Sequence, residues 1–225
     1  MDDFATQVTG IGALAEPARR ALYLYVVAQD DPVSRDQAAT GAGLPRHMAK
    51  FHLDRLVTDG LLDTEFRRLS GRRGPGAGRP AKLYRRSSRQ VEVSLPERHY
   101  DLAGRILARA VEDAARDGVP VLEAMQRAAA EVGRRIGAGA PVGERAPLES
   151  VADALACHGY EPRVRAGRVL LANCPFHALA AEHAELVCGM NLHLITALVA
   201  EAGPAGVRAE LAPSAGHCCV VLTCE

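Results

Sequence analysis

The chain has 225 residues, no net formal charge, six cysteines and an apolar fraction of 48%, with 4% aromatic residues and no Trp. That length and apolar content suit one large or two small domains with a buried core. No apolar run approaches a membrane span, and Met1-Asp2-Asp3-Phe4 lacks a signal peptide's positive start. Membrane insertion and secretion are therefore not expected. A cytoplasmic location follows, and with it cysteines held as thiols, metal ligands or redox groups rather than structural disulfides.

Charge is unevenly spread. Residues 1–90 carry fifteen Lys/Arg against ten Asp/Glu, a balance of +5, so the remainder carries −5. A basic first part beside an acidic second part fits a nucleic-acid module joined to a sensing or pairing domain.

In chain order, Glu16–Gln29 is predicted as a first helix that buries Ala21, Leu22, Leu24, Tyr25 and Ala28. Ser34 and Gln37 then stand at N-cap and N3 of a second helix, a capping box. Gly41 and Gly43 break it, and Pro45 takes the N1 position of a third helix running to about Asp59. This is the helix-turn-helix order, with Pro45–Thr58 as recognition helix. Ala49, Leu53 and Leu56 share its inward face, while Arg46, His47, Lys50 and Phe51 lie on the opposite face, open to a DNA groove.

Two strands, Leu62–Arg68 and Lys82–Arg85, flank a glycine-rich loop at Leu69–Ala81, the pattern of a β-wing. From Phe66 to Arg89 there are nine basic residues, including Arg72, Arg73, Arg79 and Lys82, and no acid. Such guanidinium and ammonium groups reach phosphates or enter a minor groove. Residues 1–90 are thus expected to form a winged-helix DNA-binding domain.

Residues 91–146 read as a helical linker and dimerisation segment. Pro96–Asp117 and Val119–Gly137 are its two helices, and a glycine- and proline-rich stretch, Gly137–Pro147, follows. Leu102, Ile106, Ala110 and Val111 form an apolar stripe suited either to internal core or to a dimer seam. A homodimer is expected, because two recognition helices on a palindromic operator require two-fold symmetry.

Residues 147–225 read as a small α+β domain with an antiparallel sheet. Its elements are a helix at Leu148–His158, a hairpin of Tyr160–Arg165 and Arg168–Asn173, helices at Ala178–Leu186 and Cys188–Ala202, and strands at Val207–Ala212 and Cys218–Thr223. The fold class expected for the whole chain is α+β.

Five of the six cysteines follow residue 173. Cys174 begins a Cys-x2-His turn with His177. Cys188 falls at a helix junction, and Cys218 and Cys219 open the last strand. Strand alternation would turn only one of Cys218 and Cys219 toward a shared site. Cys174, Cys188 and the Cys218/Cys219 pair form a candidate metal site for zinc or an iron–sulfur cluster, with His177 or Cys219 as further ligands. Cys157 and Cys224 read as small buried hydrophobes. His158, His183, His193 and His217 read as ordinary polar residues.

The wing sequence Gly-Arg-Pro-Ala-Lys-Leu-Tyr (Gly78–Tyr84), followed by Cys174-Pro175, Glu185-Leu186-Val187-Cys188 and Gly216-His217-Cys218, resembles the ArsR/DeoR-type winged-helix regulators that include the SufR repressors of iron–sulfur cluster assembly. The resemblance extends over nearly the whole chain. It implies a repressor whose cluster cysteines correspond to Cys174, Cys188 and Cys218. Two departures leave the metal open: Cys218-Cys219 stands where one cysteine is expected, and the turn ending at His177 suits zinc equally.

Two functions fit these features. One is a dimeric regulator whose iron–sulfur cluster sets its affinity for double-stranded DNA. The other is a winged-helix regulator with structural zinc and a small-molecule effector pocket. An enzyme is not expected, since no acid is placed to orient His177 or His217 as a base for a cysteine nucleophile.

Overall fold

Two apolar cores organise the chain, one in residues 1–93 and one in residues 94–225. The computed structural model describes residues 3–68, 79–139, 147–202, 206–214 and 216–224. Both units mix helices with a small antiparallel sheet, so the chain is α+β.

The first unit begins with α1 (Asp3–Ala13), which the sequence reading did not anticipate. Its β-branched residues and two glycines give it poor helix propensity, and Phe4, Val8 and Ile11 remain exposed. Helix α2 (Pro17–Val27) is capped by Glu16, whose carboxylate accepts the Arg19 N–H at 2.8 Å. Leu22 and Val26, one turn apart, set its buried face. Leu24, expected inside, lies half a turn away and is 56% exposed; Ala28 is exposed as well.

The short strand β1 (Val33–Ser34) leads into α3 (Arg35–Gly41). The Ser34–Gln37 capping box is formed in both directions: Ser34 N–H donates to Gln37 Oε1 at 2.8 Å, and Gln37 N–H donates to Ser34 Oγ at 3.3 Å. A tight turn leads to α4 (Arg46–Thr58), with Pro45 at the N-cap, one residue earlier in role than expected. Ala49, Leu53 and Leu56 are wholly buried against α2 and α3. Strands β2 (Leu62–Arg67) and β3 (Ala81–Arg86) pair antiparallel from Leu62↔Arg86 to Arg67↔Ala81. The sheet order is β1-β3-β2. Arg72 and Arg73, in the expected wing loop, lie outside the described residues.

The second unit comprises α5 (Tyr100–Asp117), α6 (Val121–Ala138), α7 (Pro147–Ala156), β4 (Pro162–Arg165), β5 (Arg168–Leu171), α8 (His177–Glu182), α9 (Ala184–Ala202), β6 (Val207–Leu211) and β7 (Val220–Cys224). Its antiparallel sheet has the order β4-β5-β7-β6. The two helices expected as a separate segment over 91–146 belong to this unit. Ala103, Ile106 and Ala110 of α5 and Met125 and Ala129 of α6 share one core with Leu155, Leu171, Phe176 and Met190. Ile106 and Ala110 of the apolar stripe are therefore internal core, while Val111 is 59% exposed.

Helix α9 is central to this unit. Contrary to the sequence reading, its 19 residues are long and apolar enough by length and composition to cross a membrane. Met190, Leu194, Ile195 and Leu198 are nevertheless buried in the core. Helix α6 approaches α9 at backbone distance, because Gly133 and Gly137 present no side chain there. A Cβ on Gly137 would stand 2.6 Å from the Leu198 carbonyl oxygen, and one on Gly133 would press harder still on Leu194 O.

This contact gives a stability prediction. Gly133→Ala should destabilise the chain by about 1–3 kcal/mol through overpacking. Gly104→Ala on α5, where a Cβ meets nothing within 4 Å, should instead stabilise it by roughly 0.5–1 kcal/mol by restricting the unfolded chain. Urea unfolding of the two variants checks the opposite signs; equal effects would rule out the close approach.

Candidate functional site

The first candidate surface is the outer face of α4. Because Ala49, Leu53 and Leu56 turn inward, the helical period brings Arg46, His47, Lys50 and Phe51 outward, and all four are exposed. Phe51 is 67% exposed and stands edge-on to His52, with ring centroids 5.3 Å apart. Such an aromatic on a polar helix face needs an explanation other than core packing.

Several of the cations here are held by carboxylates. Arg46 donates to Asp36 of α3 at 2.6 Å. Lys82 of β3 donates to Asp54 of α4 at 2.7 Å, Tyr84 O–H donates to the same oxygen at 3.1 Å, and the Lys82 ammonium lies 5.1 Å from the Tyr84 ring centroid. Burial works to raise the Asp54 carboxyl, but Lys82 and the Tyr84 hydroxyl outweigh it and hold it below its usual range. Burial, then the Asp54 carboxylate, push the Tyr84 phenol far up, so it stays a donor. On the strands, Arg67 pairs with Glu65 at 3.6 Å and Arg85 with Asp63 at 3.9 Å. Lys50 and Arg79 are exposed and carry no ion pair among the described residues. A groove of about 280 Å³ runs between α3, α4 and β3, bordered by Asp36, Arg46, Lys50, Asp54 and Lys82.

The second candidate site lies in the other unit, where Cys174, Cys188, Cys218 and Cys219 meet. Their thiols lie close enough to perturb one another in sequence: Cys174 with Cys218, Cys218 with Cys219, and Cys219 with Cys188. Cys218 and Cys219 both take part. They precede β7 in an irregular turn, so the strand alternation expected to separate them does not operate. Cys188 lies inside α9 rather than at a helix junction, because the break between α8 and α9 falls at His183. His177 is exposed at the start of α8, and its backbone N–H donates to the Cys174 carbonyl at 3.1 Å. Cys157 and Cys224, expected as buried, are both exposed.

Sequence reasoning missed the polar groups that hold this site. Asn191, wholly buried on α9, donates from Nδ2 to Cys218 Sγ at 3.2 Å and accepts Tyr160 O–H at 2.5 Å. An amide in the apolar run Gly189–Thr196 was the available signal, since a buried amide requires partners. Arg98 donates to the Cys174 carbonyl at 3.1 Å and also to Asn173 Oδ1. Asn173 in turn donates to the Gly159 and Glu97 carbonyls at 2.6 and 2.9 Å.

Three of the thiols, Cys174, Cys188 and Cys218, are raised. The Cys218 hydrogen bond, then burial, push Cys174 far up. The bond from Cys174 lowers Cys218, but its bond to Cys219 and its burial together push it up to about 11. Burial raises Cys188, offset by the bond from Cys219. Burial, then the neighbouring thiols, raise the Tyr160 phenol.

As a donor set, four adjacent sulfurs fit zinc or an iron–sulfur cluster. Among the described residues, however, no three His, Cys, Asp or Glu side chains already stand arranged to hold a metal ion. Metal uptake would have to remove protons and draw the sulfurs together, and would strengthen as pH rises.

The raised thiols also give a pH prediction for metal-free protein. Cys218 is raised from 9.0 to about 11 in the folded chain, so its contribution is complete below pH 9 and is lost as pH rises through 11. Unfolding free energy should fall over this window, and Cys218→Ser should reduce the fall. An identical pH profile for both proteins, measured by denaturant titration, would exclude the perturbed thiol.

Comparison with family models, curated proteins and solved structures returns no match, so the functional reading rests on these two arrangements of residues.

Proposed function

We propose that the chain is a cytoplasmic, homodimeric, DNA-binding transcriptional regulator, a repressor, whose operator affinity is set by a cysteine-held metal centre. On this reading residues 1–93 are a winged helix-turn-helix, with α3 and α4 as the helix pair and the β2–β3 hairpin as the wing. The observation that carries it is the outer face of α4. Arg46, His47, Lys50 and Phe51 are exposed together, on a helix whose other face is fixed by three wholly buried apolar residues. Arg46 and Lys50 suit guanine edges or phosphates, and Phe51 suits thymine methyl groups. Lys82 and Arg79 extend the basic surface toward the wing.

Asp36 and Asp54 have a positioning role in this proposal. They hold the Arg46 and Lys82 head groups in place before DNA arrives, which lowers the ordering cost of binding. Exposed pairs of this kind contribute little to stability, so exchange of the carboxylate for a phosphate is inexpensive.

The metal centre is assigned to Cys174, Cys188, Cys218 and Cys219, with His177 set aside because it is exposed and the thiol contacts run among the cysteines. An iron–sulfur cluster bound there would supply a soft, oxidation-sensitive centre whose loss frees the thiolates. The chain's own contribution is to shield the sulfurs from water, to fix Cys218 through Asn191 and Tyr160, and to anchor the Cys174 turn through Arg98. A second reading, structural zinc with a separate effector site, draws support from a cavity of about 660 Å³ in the second unit.

For the DNA reading, Arg46→Ala should lose about 1–3 kcal/mol of discrimination between operator and random duplex. Lys50→Ala should weaken all duplexes and flatten the dependence on salt. Fluorescence anisotropy titrations at several salt concentrations read both effects, and unchanged binding by both variants would refute the assignment of α4.

For the metal centre, protein purified without oxygen should carry stoichiometric metal, brown for a cluster and colourless for zinc. Serine at Cys174, Cys188, Cys218 or Cys219 should abolish loading, because a hydroxyl stays protonated and is a poor soft-metal ligand. Cys157→Ser should leave it intact. Loaded protein should bind the operator more tightly than metal-free protein at the same salt concentration; equal affinities would make the centre structural only.

A further inference from the structure

The second unit also carries a groove of about 660 Å³ between α5 and α6, within the range of small-molecule sites. Its floor is apolar, formed by Leu102, Ile106, Ala128, Val132 and Ile136. Its rim carries three guanidinium groups, those of Arg105, Arg109 and Arg135, and Glu131 is the one carboxylate among the described lining residues. We infer that this groove binds a small amphipathic anion, an apolar chain ending in a carboxylate, with the chain on the α5–α6 floor and the head group on Arg109.

The choice of Arg109 follows from its neighbours. Each rim arginine is paired along its own helix: Arg105 with Asp101 at 2.7 Å, Arg109 with Asp113 at 2.8 Å, and Arg135 with Glu131 at 3.3 Å. Asp113 alone among these acids has a second guanidinium, that of Arg116, at 2.5 Å. Arg116 is itself shared with Asp117 at 2.9 Å through Nε, but its Nη2 stays on Asp113, so Arg109 can turn to a ligand and leave Asp113 one guanidinium. A carboxylate so received would gain a charge-assisted, two-point contact. An apolar floor without a cationic rim would select neutral ligands, and a cationic rim without the floor would select inorganic anions. The groove has both. This inference names the ligand class for the effector site of the second reading above; it does not depend on the DNA or metal assignments, because every lining residue lies in residues 94–225 and ligand binding is read directly.

The test is calorimetric titration of the full chain with decanoate below its micelle concentration, beside decanol and acetate. Saturable decanoate binding is expected, with decanol and Arg109→Ala each roughly tenfold weaker, the loss of one charged partner, and with acetate inert. Val132→Trp, which fills the floor, should abolish binding; Val132→Thr, which keeps the volume but adds a hydroxyl, should weaken it if the bulkier variant fails to fold. No saturable binding, equal affinity for decanol, or full binding by both Val132 variants would overturn the proposal. So would a dimer that Val132→Trp converts to monomer while the native chain ignores decanoate, since the groove would then be filled by a second copy.

Discussion

The backbone approach of α6 to α9 is the constraint on which the second unit depends. Helix α9 is apolar around most of its circumference, so it must be covered on several sides at once. Gly133 and Gly137 let α6 close on one side, at the Leu194 and Leu198 carbonyls. The sheet and α7 add to the same core. At Gly133 and Gly137 no α6 side chain stands between the helices, so there their spacing is set by main chain rather than by adaptable rotamers. That placement carries Asn191 and Cys188 on α9 to the turn bearing Cys218 and Cys219. The other side of α6 supplies Ala128, Val132 and Ile136 to the groove with α5. One helix thus forms part of the apolar groove and packs on the helix that completes the thiol cluster.

In the thiol cluster, burial raises Cys174, Cys188 and Cys218, while Asn191 offers Cys218 a fixed amide donor. The Tyr160 hydroxyl occupies the amide oxygen, so the NH₂ end must face the sulfur. A buried donor aimed at sulfur favours its anionic form, and burial opposes it. Burial and the Cys219 thiol prevail over the lowering bond from Cys174, as the raised Cys218 shows.

Much of this architecture is legible in the sequence where one local rule acts alone. The Ser34–Gln37 box, the inward Ala49/Leu53/Leu56 face and the β2–β3 pairing each follow from capping or periodicity. Legibility fails where tertiary contacts decide. Helix α1 has weak propensity, and the two-residue strand β1 exists only because β3 pairs with it. Leu24 is as apolar as Leu22, yet the rotation of α2 leaves it outside. The four cysteines could be grouped from the sequence, but the participation of both Cys218 and Cys219 depends on a turn where strand alternation was expected. Asn191 and Arg98 are single polar residues whose partners lie far along the chain. The α5–α6 groove arises from packing and has no local signature.

The carboxylate-held cations of the first unit bear on how binding would respond to salt. On the proposed reading, Arg46 and Lys82 meet DNA already neutralised by Asp36 and Asp54. Each contact is then an exchange of one anion for another rather than the capture of a phosphate by a bare charge. The carboxylates set free must recruit cations from solution, cancelling part of the counterion release that drives association. The ionic-strength dependence should therefore report fewer charges than the surface displays. A duplex that displaces the arginine without satisfying it would leave Asp36 facing the phosphate backbone, a repulsion that penalises misaligned docking.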